Sequence, residues 1–333
     1  MREALQRAWL GRGPLAMLLW PLSLLYGAIT TLQRALFRFG WRRVERAPVP
    51  VVVVGNLVAG GGGKTPVVMA LADHLRQRGI ACGVISRGYG RRSDDCLQVT
   101  PASDPAEVGD EPLLIASQCQ VPVVVARRRV EAARELHAAH PGIRVILSDD
   151  GLQHHALARE IEVLVFDDRG LGNGWLLPAG PLREPWPRQA DLVLRTDGAE
   201  GMAGHRVGRR LAFEAVRADG TRCSLAELAR SPCVALAGIA RPEAFFGMLR
   251  QAGIQPLRTV GLADHAALDA TDVPPIPNGG HLLCTQKDAV KLWRSHPQAW
   301  AVPLALEIDP AFWRAFDVLL DAKLSSPHGS QAA

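Results

Sequence analysis

The chain has 333 residues, 48% of them hydrophobic and 21% charged, a balance that excludes a disordered polymer and a length that allows two domains with full cores. Its formal net charge of +5 suits anionic partners such as phosphates or acidic lipids, but no zinc-finger spacing and no basic, aromatic RNP-like run points to nucleic acid. The six cysteines are scattered without a C-x-x-C pair, which reads as buried, reduced thiols in the cytoplasm.

The N-terminal segment carries no charge between Arg12 and Arg34 and is rich in leucine, with Trp20 and Tyr26 among them. A signal peptide is disfavoured because no small-residue cleavage site is evident. A membrane span is marginal in length and interrupted by Pro14, Pro21 and Gly27. Arg2, Arg7 and Arg12 precede the segment, and Arg34, Arg38, Arg42 and Arg43 follow it. Cations on both flanks fit a helix lying on an anionic membrane surface. The competing reading is a hydrophobic helix packed on the protein's own core.

An apolar run at residues 49–54 leads to Gly60-Gly61-Gly62-Gly63-Lys64-Thr65. Strand, glycine loop and Lys-Thr in that order read as a phosphate cradle. Backbone N–H groups approach a polyphosphate where side chains are missing, the lysine adds charge, and the threonine hydroxyl offers a Mg²⁺ ligand. Pro66 and the apolar spacing through Leu75 predict a helix whose N-terminus faces the phosphates. The nucleotide-binding set is therefore Val58, Ala59, Gly60, Gly61, Gly62, Gly63, Lys64 and Thr65. Val58 departs from the pattern G-x-x-x-x-G-K-[ST], which asks for glycine there. A dinucleotide-binding oxidoreductase fails because the glycines are not spaced as G-x-G-x-x-G and Lys-Thr stands where that fold wants helix packing.

Further apolar runs at 80–86, 121–126, 143–148, 161–166 and 190–194, with helical stretches near 111–118 and 128–140, alternate as buried parallel strands and helices. The predicted fold is α/β, a P-loop NTPase-like, mostly parallel sheet with a second, smaller α/β lobe joined by a two-stranded linker. Arg87, the pair Asp149-Asp150 and the pair Asp167-Asp168 follow strand ends, so they should share the rim of the glycine loop. Thr65, Asp149 and Asp150 form the predicted Mg²⁺ set. His154 and His155 beside them do not require zinc, because hard Mg²⁺ with phosphate oxygens accounts for the carboxylates.

Composition changes after Asp197, and residues 198–204 read as a linker. Residues 211–217 and 301–308 are strand-like and are predicted to pair across the connection. The predicted division is 1–45 for the membrane-associating helix, 46–205 for the P-loop domain, and 206–309 for the linker strands and smaller lobe. The helix at 310–325 returns to the P-loop domain.

Several blocks in this order resemble the tetraacyldisaccharide 4'-kinases of lipid A synthesis, and the likeness runs along nearly the whole chain. They include the Gly-Lys-Thr-Pro loop, Ser86-Arg87-Gly88-Tyr89-Gly90, Gly109-Asp110-Glu111-Pro112 and Asp149-Asp150-Gly151-Leu152-Gln153-His154. The blocks from Asn173 to Glu184, Ala263-Asp264-His265, and Thr285-Gln286-Lys287-Asp288-Ala289-Val290-Lys291 follow. Where family loops usually have a small hydroxyl residue and a polar residue, this chain has Val58 and Gly62.

The resemblance implies transfer of the ATP γ-phosphate, with Mg²⁺, to the 4'-hydroxyl of an acylated glucosamine disaccharide 1-phosphate. The setting it implies is the cytoplasmic face of the inner membrane, with no obligate protein partner. It assigns Asp110 as the base that accepts the hydroxyl proton; on the residues alone, a helix N-cap is an equal reading. It also implies that His265 is a dyad partner from the second lobe, and that Lys64 joins the catalytic set. Arg87, Asn173 and Arg183 are implied as substrate contacts. Lys287 is a further cation for phosphate or nucleotide, and for these cations a surface ion pair is the ordinary alternative. A membrane-associated P-loop regulatory NTPase is the alternative function, although the N-K-x-D guanine reader of a GTP switch is missing at Gln286-Lys287-Asp288-Ala289.

Overall fold

The computed structural model describes residues 5, 7–199, 201–264, 266, 268 and 272–325. Its centre is a strand of four consecutive valines, β1 (Val51–Gly55), buried on both faces. β-branched residues pack well on a pleated surface, and only a strand covered on both sides can be apolar at every position. Val52 and Val54 enter one core and Val51 and Val53 the other. The first core is covered by the helices Lys64–Gln77, Asp110–Cys119 and Pro310–Ser325, the second by the helix Arg129–Ala139.

β1 pairs in parallel with β5 (Val145–Asp149) and β6 (Ile161–Phe166). Beyond β5 come β2 (Cys82–Ser86), β4 (Val123–Val125) and the antiparallel edge β3 (Leu97–Val99). Beyond β6 come β7 (Leu192–Arg195), β8 (His205–Leu211) and β15 (Leu304–Ile308), giving nine strands in the order β15-β8-β7-β6-β1-β5-β2-β4-β3. Because β1, β5 and β6 run the same way, their carboxyl ends open onto one rim, where ligands of open α/β sheets bind.

A second sheet of six strands holds β9 (Glu214–Val216), β10 (Arg222–Ser224), β11 (Cys233–Ala237), β12 (Arg258–Gly261), β13 (His281–Thr285) and β14 (Trp300–Val302). The helix Pro242–Gln251 covers one face with Phe245, Phe246 and Leu249, and the helix Gln286–Leu292 covers the other with Ala289 and Leu292.

The two-stranded linker consists of β8 and β15, antiparallel from Leu304↔Leu211 to Ile308↔Val207. The sequence reading merged each linker strand with its neighbour. Leu211 closes β8 while Glu214–Val216 enters the second sheet, and Pro303 divides β14 from β15. A proline has no N–H for the ladder, so the run from 300 to 308 changes sheets there, and the Pro303 carbonyl accepts from the Ala212 N–H instead.

The helix Pro14–Arg38 is long and apolar enough to cross a membrane by length and composition, and only 11% of its most apolar window is buried. Leu18 is 76% exposed, and Leu22, Leu24, Leu25 and Leu32 stand in solvent with it. The own-core reading is therefore wrong for most of this helix. All six cysteines are free; Cys82, Cys119, Cys233 and Cys284 are buried as expected, whereas Cys96 is exposed.

The C-terminal helix Pro310–Ser325 returns to the first sheet through Phe312, Phe316 and Leu320, each fully buried on one helical stripe. Phe316→Ala should therefore cost about 3–5 kcal/mol of stability in urea denaturation. A cost near zero would show that this helix does not belong to the core.

Candidate active site

The chain leaves β1 at Gly55 and forms the glycine loop before the helix starts at Lys64. Gly63, the N-cap, has left-handed backbone (φ 76°) and supplies no side-chain cap, so the first-turn N–H groups remain available to an anion. A Cβ on Gly63 would fall 2.4 Å from the Arg209 guanidinium, and one on Gly62 would fall 2.2 Å from Asn56 Nδ2. A side chain at either position would have to displace one of these groups, and the positive φ of Gly63 adds backbone strain for any other residue. At Gly62 the missing side chain leaves room for buried Asn56, whose Oδ1 accepts from Lys64 Nζ at 3.2 Å.

Val58 and Ala59 stand at the start of the loop. Val58 bridges to Leu182, and the Ala59 N–H donates to the Pro181 carbonyl at 2.8 Å. Their backbone ties the loop's start to the 181–183 segment.

Asp149 ends β5 and is buried. The Thr65 hydroxyl donates to its Oδ2 at 3.2 Å, while Oδ1 has no hydrogen-bond partner. Burial pushes its carboxyl up to about 7, with Glu111 adding repulsion. A buried oxygen of this kind, beside a hydroxyl, fits a hard cation. Among the described residues no cluster of three or more His, Cys, Asp or Glu gathers around one point. A Mg²⁺ here would thus take most of its ligands from phosphate and water. Asp150 has left-handed backbone (φ 50°) and turns toward Lys64 Nζ at 3.5 Å and Arg183 at 3.4 Å. Burial alone would raise its carboxyl, but Lys64, Arg183 and Arg129 outweigh that and hold it below the ordinary range.

Asp110 is buried as the first residue of the Asp110–Cys119 helix, and the cap is Gly109, whose φ of 93° favours glycine. The N-cap alternative for Asp110 is therefore excluded. Its carboxylate pairs with Lys291 of the second lobe at 2.7 Å. Next to it Glu111 meets Lys287 at 3.4 Å, and Lys287 also holds Asp264 at 2.9 Å. With Gln118–Gln286 at 3.3 Å and Asp104–Arg294 at 3.2 Å, these contacts form a polar seam between the lobes. The seam runs the length of Gln286–Leu292, from Gln286 and Lys287 in its first turn to Lys291 in its last, with Arg294 just beyond. His265 lies outside the described residues.

Between the lobes opens a cleft of ≈ 1010 Å³ lined by the glycine loop, Lys64, Thr65, Glu111, Arg241 and Lys287, among others. Arg87 instead lines a smaller cavity of ≈ 230 Å³ with Arg127, Arg128, Arg129 and His154. Arg129 is buried there and donates to the carbonyls of Asp149 and Asp150 at 3.0 and 3.3 Å. Burial lowers it to about 10.

Asn173 requires correction as a substrate contact. Its amide donates to the carbonyls of Ala8, Gly11 and Ala179, and its Oδ1 accepts from the Trp175 N–H, so it anchors the N-terminal segment. That segment is also tied by Ser23 Oγ to the Leu176 carbonyl and by the Tyr26 hydroxyl to the Arg183 carbonyl, at 2.8 and 3.1 Å.

Sequence reasoning missed Asn56, Glu111, Arg129, Arg169, Arg209 and Lys291 as individual site residues. Glu111 and Lys291 stood inside quoted motifs beside chosen residues. Arg169 and Arg209 carried no signal, because their partners are loop carbonyls distant in sequence.

The family model described as tetraacyldisaccharide-1-P 4'-kinase (LpxK) matches residues 15–321. A tetraacyldisaccharide 4'-kinase of Acidovorax ebreus is 56% identical over 330 residues, covering 98% of this chain and 97% of that one. One from Polaromonas naphthalenivorans is 51% identical over 342 residues, covering 99% of each. The crystal structure of an "apo" form LpxK from Aquifex aeolicus in complex with ATP aligns with a TM-score of 0.80 at 29% identity, covering 92% of this chain and 99% of that one.

A raised carboxyl favours the fold while it is protonated, so Asp149's contribution is full at acid pH and is lost as pH rises through about 7. Asp149→Asn fixes the uncharged form. It should exceed the parent in stability by roughly 1–3 kcal/mol at pH 8, the gap narrowing as pH falls through about 7 and closing near pH 4. Thermal melts of both proteins across that range test this, and a gap that ignores pH would refute it.

Proposed function

The chain belongs to the tetraacyldisaccharide-1-phosphate 4'-kinase family, and from that premise we propose that it transfers the γ-phosphate of ATP to the 4'-hydroxyl of tetraacyldisaccharide 1-phosphate, giving lipid IVA. The observation that carries this reading is the convergence at one interlobe cleft of the glycine loop, Lys64, Thr65, Glu111 and Lys287. Asp149 joins it through Thr65, and Asp110 through its neighbour Glu111.

In this reading the amides of the glycine loop and of the first helical turn hold the ATP phosphates, and Lys64 offsets their charge. Thr65 and Asp149, with Asp150 beside them, would hold Mg²⁺, which supplies charge neutralisation on the phosphates when bound. Asp110 accepts the proton of the attacking sugar hydroxyl, and His265 orients it as a dyad partner. The Lys291 ion pair ties this base to the second lobe, so its position depends on the lobes meeting. Arg183, paired with Asp150, which also meets Lys64, and Arg87 in the cationic cavity are the candidates for anionic oxygens of the acceptor.

The helix Pro14–Arg38 lies with its exposed apolar face in the cytoplasmic leaflet of the inner membrane. Its bonds to Leu176 and Arg183 bring the acceptor side of the site to the bilayer, where an acylated disaccharide resides. The proposed division is 46–205 with the helix at 310–325 for the P-loop domain and 206–309 for the linker strands and the smaller lobe, the linker strands β8 and β15 pairing at the edge of the nine-stranded sheet.

Incubation with labelled ATP, Mg²⁺ and the acylated disaccharide 1-phosphate should place label in the lipid fraction. ATP consumption without labelled lipid would return the regulatory NTPase. In the same assay Asp110→Asn should lower kcat by about 10²–10⁴-fold while leaving KM values within about threefold; equal losses of binding and rate would make Asp110 structural. The double substitution Leu18→Glu with Leu25→Glu, on the exposed face of the N-terminal helix, should abolish sedimentation with anionic vesicles. Unchanged sedimentation would refute the membrane helix.

A further inference from the structure

Four consecutive glycines give a loop with no side chains to restrain it, and ordering glycine costs more backbone entropy than any other residue. In this fold two arginines from distant elements supply the restraint. Arg169 donates Nη1 to the Ala59 carbonyl at 3.1 Å and Nη2 to the Gly61 carbonyl at 3.2 Å. Arg209 donates Nη2 to the Gly62 carbonyl at 3.0 Å. A trans peptide is planar, with the C=O of one residue opposed to the N–H of the next. Holding the carbonyls of Ala59, Gly61 and Gly62 on the arginine side therefore turns the N–H groups of Gly60, Gly62 and Gly63 to the other side.

The Arg169 guanidinium is itself fixed. Buried Asp167, just past β6, accepts Arg169 Nε on both oxygens at 3.0 Å and also accepts the Arg169 backbone N–H at 3.1 Å. Arg209 projects from the linker strand β8, and Asp167 and Asp168 offset part of what burial costs its charge. Neither arginine is needed for the core, and both guanidinia meet the loop on its backbone oxygens.

We propose that Arg169 and Arg209 are positioning residues for phosphoryl transfer: they brace the glycine loop in its phosphate-binding form before ATP arrives, and Arg209 links that form to the strand pair joining the lobes. This rests on the kinase reading, and it goes beyond it by assigning the loop's preorganisation to two residues that do not touch the phosphates. The benefit is affinity for ATP, since a loop already ordered loses less entropy on binding.

The test uses the full-length protein with Arg169→Lys, Arg169→Gln, Arg209→Lys and Arg209→Gln. Direct Mg·ATP binding is measured beside KM for ATP, KM for the lipid acceptor and kcat. Lysine keeps the charge, but at 169 one ammonium lacks the fork that reaches two carbonyls and a carboxylate at once, and at 209 it lacks the planar geometry that aims Nη2 at the Gly62 carbonyl. The brace predicts that lysine and glutamine weaken ATP binding alike, raising Kd and KM for ATP roughly tenfold while kcat and the acceptor KM stay within about threefold. Amide exchange of the 59–63 segment in the ATP-free protein should quicken in the same variants. Rescue by lysine would make these residues direct charge contacts to phosphate and overturn the brace, as would unchanged ATP affinity or a loss confined to kcat. If the parent binds Mg·ATP but labels no lipid, the kinase reading fails while the brace is still measured by Kd.

Discussion

Everything at this site depends on a loop that must be bare of side chains yet held still. Bareness lets backbone N–H groups reach a phosphate, and it removes the means by which a loop usually orders itself. The structure resolves the conflict with neighbours: Asn56 from below, the Pro181 carbonyl at the loop's start, and the guanidinia of Arg169 and Arg209 along its outer edge. The close approaches at Gly62 and Gly63 are the sterics of the same arrangement, since any side chain there would displace the groups that hold the loop.

The second lobe meets the first largely through charge, with Val290 its apolar contact to the first core. Asp110–Lys291 and Glu111–Lys287–Asp264 join helices that belong to different sheets. Such contacts carry desolvation costs that offset much of their attraction, so they set geometry more than they add stability. The N-terminal helix works at the opposite side, where Ser23 and Tyr26 fix it to the 176–183 segment and leave its leucines outward.

Much of this was legible in the chain. The valine run of β1, the glycine loop and the Lys64–Gln77 helix are contiguous, and each is specified by local rules of period, sterics and capping. Asp149 was readable for the same reason, as a carboxylate ending an apolar strand. Errors arose where local pattern was not decisive. Asn173 resembled a polar site residue, yet three carbonyls take its amide. Residues 211–217 looked like one strand, but the sheet that each half joins is set by pairing, not by composition.

The sequence by itself determined the phosphate-binding chemistry, the parallel α/β sheet and an apolar helix with little reason to be buried, because these follow from spacing within a few residues. Only the tertiary structure decided what holds the loop and what faces Asp110. Arg209 lies 147 residues from Gly62 and Arg169 lies 108 from Gly61. A guanidinium finds a carbonyl at that separation only through the order in which strands assemble, which hydrophobic periodicity does not encode.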